Sequence, residues 1–180
     1  MFADEKMKQK TINNASRLRR AFWGIGKVIC KLTPNYLFGF RRSIYIMFGA
    51  KLDSGVHIYP STKVWAPWNL TMGRNACLGP NVDCYNVDKI FIGENSTVSQ
   101  YCYLCTASHD YSSSKMPLIT APIKIKSDAW VTADVFVGPG VTIETGSVIL
   151  ARSSVFSDIP EWSVARGNPA EPFKKRLWND

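Results

Sequence analysis

Small aliphatic residues recur at every sixth position along most of the chain. The series begins irregularly and continues as Ile58, Val64, Met72, Leu78, Cys84, Ile92, Val98, Leu104, Ile125, Val131, Val137, Ile143, Ile149 and Val155. This period matches neither a helical turn of about 3.6 residues nor the alternation of a half-buried strand. It predicts a parallel β-helix, in which each hexad forms one short strand and one corner, and three hexads form a triangular coil of about 18 residues.

Small and turn-forming residues occupy the corners that this fold requires. The position four residues after each aliphatic residue is usually small, as at Ala76, Ser96 and Ala129. Glycines and asparagines between the strands suit turns that need positive φ, because glycine lacks a β-carbon and asparagine tolerates this conformation. These turn candidates are Gly73, Asn75, Gly79, Asn81, Gly93, Asn95, Gly138, Gly140 and Gly146.

From Met72 onwards, the period is broken at two places. The step from Cys84 to Ile92 is eight residues instead of six, which indicates an insertion of two residues. The step from Leu104 to Ile125 is 21 residues, which is three hexads and three further residues. A repeat scaffold expels insertions to its outside, so residues 109–122 are predicted to form an external loop, where binding residues commonly lie.

The external loop begins at His109, one of two histidines in the chain. Counting back one coil, with the inserted residues included, places Leu104 on Cys84. The same offset places His109 near Asn86 and Asp88, which makes these two residues the candidates to orient the histidine ring. A polar histidine at a coil corner, without a chemical role, is the alternative interpretation.

The positive charge of the chain is concentrated at its N-terminus. Residues 1–50 hold ten Lys or Arg and two acidic residues, which accounts for the whole net charge of +8, because the other 130 residues hold twelve of each. Apolar and aromatic residues are interleaved with these charges, a pattern typical of amphipathic helices. The helices could pack on their own domain with a basic outer face, or contact an anionic membrane surface. We expect no nucleic acid partner.

The length and composition fit one soluble domain, with 46% apolar and 20% charged residues among 180. No apolar run approaches the roughly 18 residues of a membrane-spanning helix, and the N-terminus lacks an apolar signal-peptide core. The expected location is therefore cytoplasmic, with peripheral contact at the inner face of the plasma membrane as a further option.

The five cysteines are an odd number without a secretory signal, which argues against a disulfide framework. Cys102 and Cys105 have the spacing of metal ligands, and a histidine follows them. A convincing fourth ligand is missing, so we expect no metal and interpret the cysteines as small buried residues.

Four segments carry a resemblance to a known family. They read HIYPSTKVWAPWNLTMGRNACLGP, YLCTASHDYSSSKMPLITAPIKI, AWVTADVFVGPGVTI and ARGNPAEPFKKR. The chain resembles the left-handed β-helix, or hexapeptide-repeat, acyltransferases, and among them the branch of colanic acid biosynthesis acetyltransferases. The resemblance implies a homotrimer with active sites in the clefts between subunits. It also implies that acetyl-CoA lies along the coils, with its thioester near the histidine.

The pattern and the resemblance together predict an all-β fold. This is a left-handed parallel β-helix of hexapeptide repeats, with N-terminal α-helices and a short C-terminal helix. Residues 1–50 are expected to form the basic amphipathic helical segment, and 51–160 the β-helix with its external loop at 109–122. Residues 161–180 are expected to form the GNPA turn and the C-terminal helix.

His109 is the candidate general base of this scheme. Transfer from a thioester to an alcohol requires removal of the hydroxyl proton, and a neutral imidazole suits that step. The resemblance implies an asparagine where this chain has Gly79, so the nearby polar substitutes are Asp83, Asn86 and Asp88, and Asp83 is the candidate for binding the acceptor. Asp110 either binds the acceptor or fixes the loop, and Tyr111 could stack on a sugar ring.

The resemblance also implies a set of residues that contact coenzyme A. Small side chains at coil corners would let the pantetheine approach the backbone, and basic residues would meet the phosphates. The implied set is Ala133, Ala151, Arg152, Arg166, Gly167, Asn168, Pro169 and Lys174. A solvated C-terminal helix is the alternative for the basic residues at its end.

The predicted function is acetyl-CoA-dependent O-acetylation of a sugar hydroxyl in exopolysaccharide or lipopolysaccharide biosynthesis. An antibiotic or amino-sugar acceptor, and a non-catalytic trimeric scaffold, are the alternatives. Binding of coenzyme A separates the enzymes from the scaffold, and acceptor screening separates the enzymes from each other.

Overall fold

A computed structural model describes residues 7–10 and 14–178. Residues 1–6 and 11–13 of the expected helical segment, and residues 179–180, lie outside the described residues. The helices are α1 (Asn14–Leu32), α2 (Phe38–Met47) and a short 3-10 helix (Pro67–Asn69). The strands are β1 (Lys8–Gln9), β2 (Lys51–Leu52), β3 (His57–Ile58), β4 (Lys63–Val64), β5 (Leu70–Met72), β6 (Cys77–Leu78), β7 (Asp83–Tyr85), β8 (Ile90–Ile92), β9 (Thr97–Val98), β10 (Tyr103–Cys105), β11 (Ala107–His109), β12 (Leu118–Thr120), β13 (Ile123–Ile125), β14 (Trp130–Val131), β15 (Phe136–Val137), β16 (Thr142–Ile143), β17 (Val148–Ile149), β18 (Ser154–Val155), β19 (Ser163–Gly167) and β20 (Ala170–Lys175).

Three parallel sheets form the faces of a prism. Their strand orders are β18-β15-β10-β7-β4, β16-β13-β8-β5-β2 and β19-β17-β14-β9-β6-β3, with β20 added to the last sheet. Consecutive strands of the coils belong to different sheets, so the chain turns a corner after each strand. Leu104 pairs with Cys84 on one side and with Val137 on the other, in the register that the period of six predicts. The prediction of a left-handed parallel β-helix is confirmed.

The aliphatic positions of the hexads form one continuous core. Each inward side chain stacks on its equivalents in the neighbouring coils, as Leu78 does between Ile58 and Val98. None of these three is more than 1% exposed. Each coil contacts only its neighbours, so stability accumulates along the stack.

The corners follow two different physical requirements. Left-handed backbone is confirmed at five of the predicted turn residues, namely Asn75, Asn81, Asn95, Gly140 and Gly146. The prediction of positive φ is wrong at the four others, namely Gly73, Gly79, Gly93 and Gly138. A β-carbon on Gly93 would lie 2.4 Å from the backbone nitrogen of Ser127 in the next coil. Close approach of two coils, rather than an unusual turn, therefore requires glycine at this position.

The two helices cover the first coil. Trp23 of α1 is fully buried, and its indole N–H donates to the carbonyl oxygen of Val64 at 2.8 Å. Arg41 of α2 is also fully buried and donates to the carbonyl oxygens of Ile58 at 2.7 Å and Pro34 at 2.6 Å. One face of each helix thus caps the open end of the β-helix. Neither helix has both the length and the apolar character needed to span a bilayer, within the described part of the chain.

The insertion after β10 folds as a β-hairpin. β11 and β12 pair antiparallel, with His109 opposite Leu118 and Ala107 opposite Thr120. The N-terminal strand β1 adds to the outer side of β12, with Gln9 opposite Ile119. The hairpin therefore stands outside the prism as a separate sheet of three strands.

The C-terminal segment is a β-hairpin, and the predicted C-terminal helix is wrong. β19 pairs in parallel with β17, with Val148 opposite Val164, and β20 folds back on β19. Pro172 lies inside β20, and in a helix it would remove a backbone hydrogen bond and clash with the preceding turn. β19 also pairs the backbone groups of β17, which would otherwise form an open edge at the end of the stack.

Candidate active site

His109 is the last residue of β11, where the strand enters the loop of the external hairpin. Its Nδ1 lies 2.6 Å from the backbone carbonyl oxygen of Met116, on the opposite arm of the hairpin. Because a carbonyl oxygen only accepts, Nδ1 carries the ring proton, and the lone pair of a neutral imidazole lies on Nε2. The side chain is exposed, so Nε2 can receive a proton from a bound hydroxyl.

A cavity of about 360 Å³ opens beside this histidine. Its walls come from the hairpin and from the N-terminal segment, and include Ser108, Asp110, Tyr111, Ile119 and Met7. Met7 reaches the cavity because β1, which follows it directly, pairs with β12. Neither Met7 nor the Met116 carbonyl was found from the sequence. No periodic pattern connects β1 to a strand more than a hundred residues away, and any residue could supply a carbonyl.

Asp110 fixes the turn of the hairpin. Its Oδ1 accepts hydrogen bonds from the backbone N–H of Ser112, at 3.0 Å, and from the Ser112 hydroxyl. These bonds hold the pKa of the Asp110 carboxyl below its usual range. This geometry supports the interpretation that Asp110 fixes the loop, rather than the one in which it binds the acceptor. Tyr111 is 78% exposed on the rim of the cavity, where a ring could stack on it.

Asn86 and Asp88 lie one coil before the hairpin but do not orient the histidine ring. Asn86 is buried, and its amide both accepts from the Ala66 N–H at 2.8 Å and donates to the Ala66 carbonyl at 2.6 Å. Asp88 accepts from the Thr120 hydroxyl at 2.9 Å and so ties the base of the hairpin to the coil. The expected contacts with the ring are not formed, since both side chains are engaged elsewhere and the Met116 carbonyl holds Nδ1.

Replacing Asn86 with alanine should lower stability without a matching loss of catalysis. The change leaves the buried N–H of Ala66 without its partner, which costs about 1–3 kcal/mol, while the Ala66 carbonyl keeps its hydrogen bond from the Asn69 N–H at 3.0 Å. Denaturant unfolding measures this loss, and kcat is measured well below the unfolding transition. A large fall in kcat with unchanged stability would contradict the structural role and restore the orienting one.

Asp83 lies in a different cavity from His109. This cavity has a volume of about 570 Å³ and lies between α1 and the face formed by β4, β7 and β10. Asp83 shares it with Lys27, Lys63 and Trp65, and its carboxylate lies 3.8 Å from the Lys63 ammonium. Burial, and then the charge of Arg20, lowers the pKa of Lys27. The cavity thus combines cations, one carboxylate and an aromatic surface.

Three residues implied for coenzyme A line up along one corner of the prism. Ala133 and Ala151 occupy this corner in successive coils, because the backbone N–H of Arg152 donates to the Ala133 carbonyl at 3.1 Å. One coil further on, the N–H of Gly167 donates to the Ser153 hydroxyl at 3.1 Å. The corner therefore presents small side chains and close backbone over three coils.

Basic side chains surround the end of this corner. Arg166 and Lys174 flank the ring of Phe173, at 4.3 Å and 5.7 Å from its centroid. Arg152 is exposed and forms an ion pair of 3.4 Å with Asp134. Asn168 and Pro169 belong to the connection between β19 and β20. Binding of coenzyme A at these residues remains a prediction.

Four of the five cysteines lie in the β-helix, and Cys30 lies in α1. Burial raises the pKa of the Cys102 thiol to about 11 and that of Cys30 to about 11, which keeps both protonated and unsuited to binding a metal. Within residues 7–10 and 14–178, no group of three or more His, Cys, Asp or Glu side chains is placed to hold a metal ion.

No family model matches the chain, whereas individual proteins do. A protein of Escherichia coli K12, WcaF, which is named as a colanic acid biosynthesis acetyltransferase, is 42% identical over 156 residues. The match covers 87% of this chain and 86% of that protein.

Two solved structures share the fold. A maltose O-acetyltransferase from Clostridium difficile 630 has a TM-score of 0.82 at 24% identity, covering 92% of this chain and 90% of its own. A galactoside acetyltransferase in complex with coenzyme A has a TM-score of 0.85 at 22% identity, covering 97% of this chain and 88% of its own. At this identity the likeness establishes the β-helix and its length.

Proposed function

The chain belongs to the hexapeptide-repeat acetyltransferases related to WcaF, and from this premise we propose that it transfers the acetyl group of acetyl-CoA to a sugar hydroxyl. The product serves exopolysaccharide or lipopolysaccharide assembly in the cytoplasm. The name of the E. coli relative supports this class of acceptor. The observation that carries the proposal is the His109 ring, held through Nδ1 by the Met116 carbonyl with Nε2 left for the substrate.

During the reaction, His109 accepts one proton from the sugar hydroxyl and then donates it to the leaving thiolate. Nε2 removes the proton of the sugar hydroxyl while the oxygen attacks the carbonyl carbon of the thioester. A tetrahedral intermediate forms and then collapses, which breaks the carbon–sulfur bond. The thiolate takes the proton back from Nε2, so the products are an acetyl ester and free coenzyme A. The Met116 carbonyl keeps the ring in one orientation and stabilises its protonated form through Nδ1–H.

The corner of Ala133, Ala151 and Gly167 is the proposed binding surface for acetyl-CoA. Its small side chains allow the pantetheine to lie against the backbone, and Arg166 and Lys174 lie at its end to meet phosphates. We propose a homotrimer in which the neighbouring subunit supplies the opposite wall of the site, because prisms with three faces pack around a threefold axis. The half-exposed ring of Trp130 suits such a contact between subunits.

Because the acceptor hydroxyl must reach Nε2 of His109, the cavity beside His109 is the proposed place for the reacting end of the acceptor, and the cavity that contains Asp83 is a proposed further surface for sugar. Trp65 and Tyr103 offer ring surfaces for a sugar, and Asp83 can accept hydrogen bonds from its hydroxyls. The nearby lysines favour an acceptor that carries a phosphate.

Release of coenzyme A tests the proposed function directly. The full-length protein is incubated with acetyl-CoA and a panel of monosaccharides, nucleotide sugars, amino sugars and lipid-linked glycans, and free thiol is measured. We expect release that depends on the acceptor, and a product whose acetyl group is removed by mild alkali, because esters hydrolyse there and amides do not. Reactions without acceptor are the control for thioester hydrolysis.

Two outcomes would contradict the proposal. An alkali-stable product formed only with amino acceptors would identify an N-acetyltransferase. Failure to bind coenzyme A, measured by calorimetry on the folded oligomer, would favour a non-catalytic scaffold.

A further inference from the structure

Helix α1 turns a wide apolar stripe away from the protein. The stripe consists of large side chains on one face of the helix, between 42% and 79% exposed, namely Leu18, Phe22, Ile25, Ile29 and Leu32. The helix packs on the β-helix through a different and narrower face, which contains Trp23, Gly26 and Cys30. The exposed stripe is therefore not needed to hold α1 in place. We call it the outer apolar face.

Helix α2 extends the outer apolar face. Met47 is 75% exposed and borders the same shallow surface depression as Phe22. Tyr36, which precedes α2, and Phe40, which lies in α2, are also more than half exposed. A monomer rarely exposes so many adjacent large apolar side chains unless a partner covers them.

The charged residues of the two helices are all basic. Residues 14–50 contain seven Lys or Arg and no Asp or Glu. Arg17 and Lys31 are exposed on α1 at the flank of the apolar stripe, whereas Lys27 lies on the opposite side of the helix, with its ammonium 5.9 Å from the centroid of the Trp65 ring. An apolar face bordered by cations on one helix is the arrangement of helices that lie in the interface of an anionic bilayer.

We propose that the outer apolar face docks this protein on the surface of an anionic lipid bilayer. The large side chains enter the boundary of the acyl chains, while Arg17 and Lys31 meet lipid phosphates. A symmetric contact between two copies would instead oppose two faces that are both strongly positive. This docking is independent of the reaction proposed above.

Docking would also place a binding cavity at the membrane surface. Lys31 flanks the outer apolar face and also lines the cavity that contains Asp83. If the proposed function holds, an acceptor carried on a lipid phosphate would enter this cavity without leaving the bilayer.

Vesicle flotation with the full-length protein tests the docking. Vesicles of phosphatidylcholine alone are compared with vesicles of phosphatidylcholine and phosphatidylglycerol in equal parts. Binding to the neutral vesicles should be weaker by at least about tenfold, since each cation near an anionic surface contributes to binding. The double variant Phe22→Gln/Ile29→Gln should weaken binding to anionic vesicles by at least about tenfold, through loss of apolar insertion.

The control variant is Leu177→Gln, which replaces a leucine that is 80% exposed near the C-terminus, outside the helices. It should bind anionic vesicles as the unmodified protein does. Equal binding of the double variant would overturn the proposal, as would absence of binding to both kinds of vesicle. If the double variant instead changes the oligomeric state in light scattering while vesicles stay unbound, a second copy covers the face. Acetyl-CoA is absent throughout, so these results do not depend on catalysis.

Discussion

Replacing His109 with alanine should lower kcat for acetyl transfer by about 100- to 10,000-fold, the usual contribution of a general base. The variant loses the only group at this position that can take the hydroxyl proton, while the proposed acetyl-CoA corner at Ala133 and Ala151 is unchanged. KM for acetyl-CoA should therefore stay nearly constant. Steady-state thiol release, measured with a saturating acceptor, gives both constants.

The other histidine of the chain is a matched control. His57 lies in β3 and packs against the ring of Phe38, with centroids 4.3 Å apart, in the coil next to the helices. His57→Ala should retain kcat within about twofold, since a group outside the site removes no interaction with the transition state. Similar losses in the two variants would indicate a general effect on folding and remove His109 from the mechanism. Circular dichroism and light scattering confirm that both variants keep the fold and the oligomer.

The parts of the fold that repeat every six residues were predictable, because the local sequence pattern determines them. The stack of Leu104 on Cys84 follows from counting hexads, since each inward position must meet an equivalent apolar side chain one coil away. The same counting located Asn86 and Asp88 beside the hairpin. It could not say which atoms they contact, because the amide of Asn86 satisfies the backbone of Ala66 within its own corner.

The segments outside the six-residue repeat could not be predicted by counting residues. The pairing of β1 with β12 depends on a hairpin that itself lies outside the repeat. At the C-terminus, the resemblance implies a short helix, whereas the open edge of β17 pairs with the strand β19, on which β20 folds back. The period of six places His109 in an external segment, and the structure shows it at the end of β11, beside the loop of the hairpin. Its partner is a main-chain carbonyl, which leaves no trace in the side-chain pattern.

The largest expected effect on stability is at Gly93, where two neighbouring coils approach each other closely. An alanine β-carbon there would lie 2.4 Å from the nitrogen of Ser127 and 2.5 Å from the carbonyl carbon of Lys126, both backbone atoms that cannot rotate away. The coils would have to separate, which would weaken the hydrogen bond of 2.7 Å from the Gly93 N–H to the Ile125 carbonyl. Gly93→Ala should therefore lower the free energy of unfolding by about 3 kcal/mol, at the upper end for overpacking.

Gly24 provides the same substitution without the steric conflict. It lies inside α1, and a β-carbon there would meet no atom within 4 Å. Gly24→Ala should raise the free energy of unfolding by about 0.5–1 kcal/mol, because alanine loses less backbone entropy in a helix. Denaturant unfolding of both variants at one protein concentration measures the two changes in the free energy of unfolding, which should have opposite signs. If Gly93→Ala unfolds at the same denaturant concentration as the unmodified protein, the coils can separate without cost, and close packing does not explain the glycine.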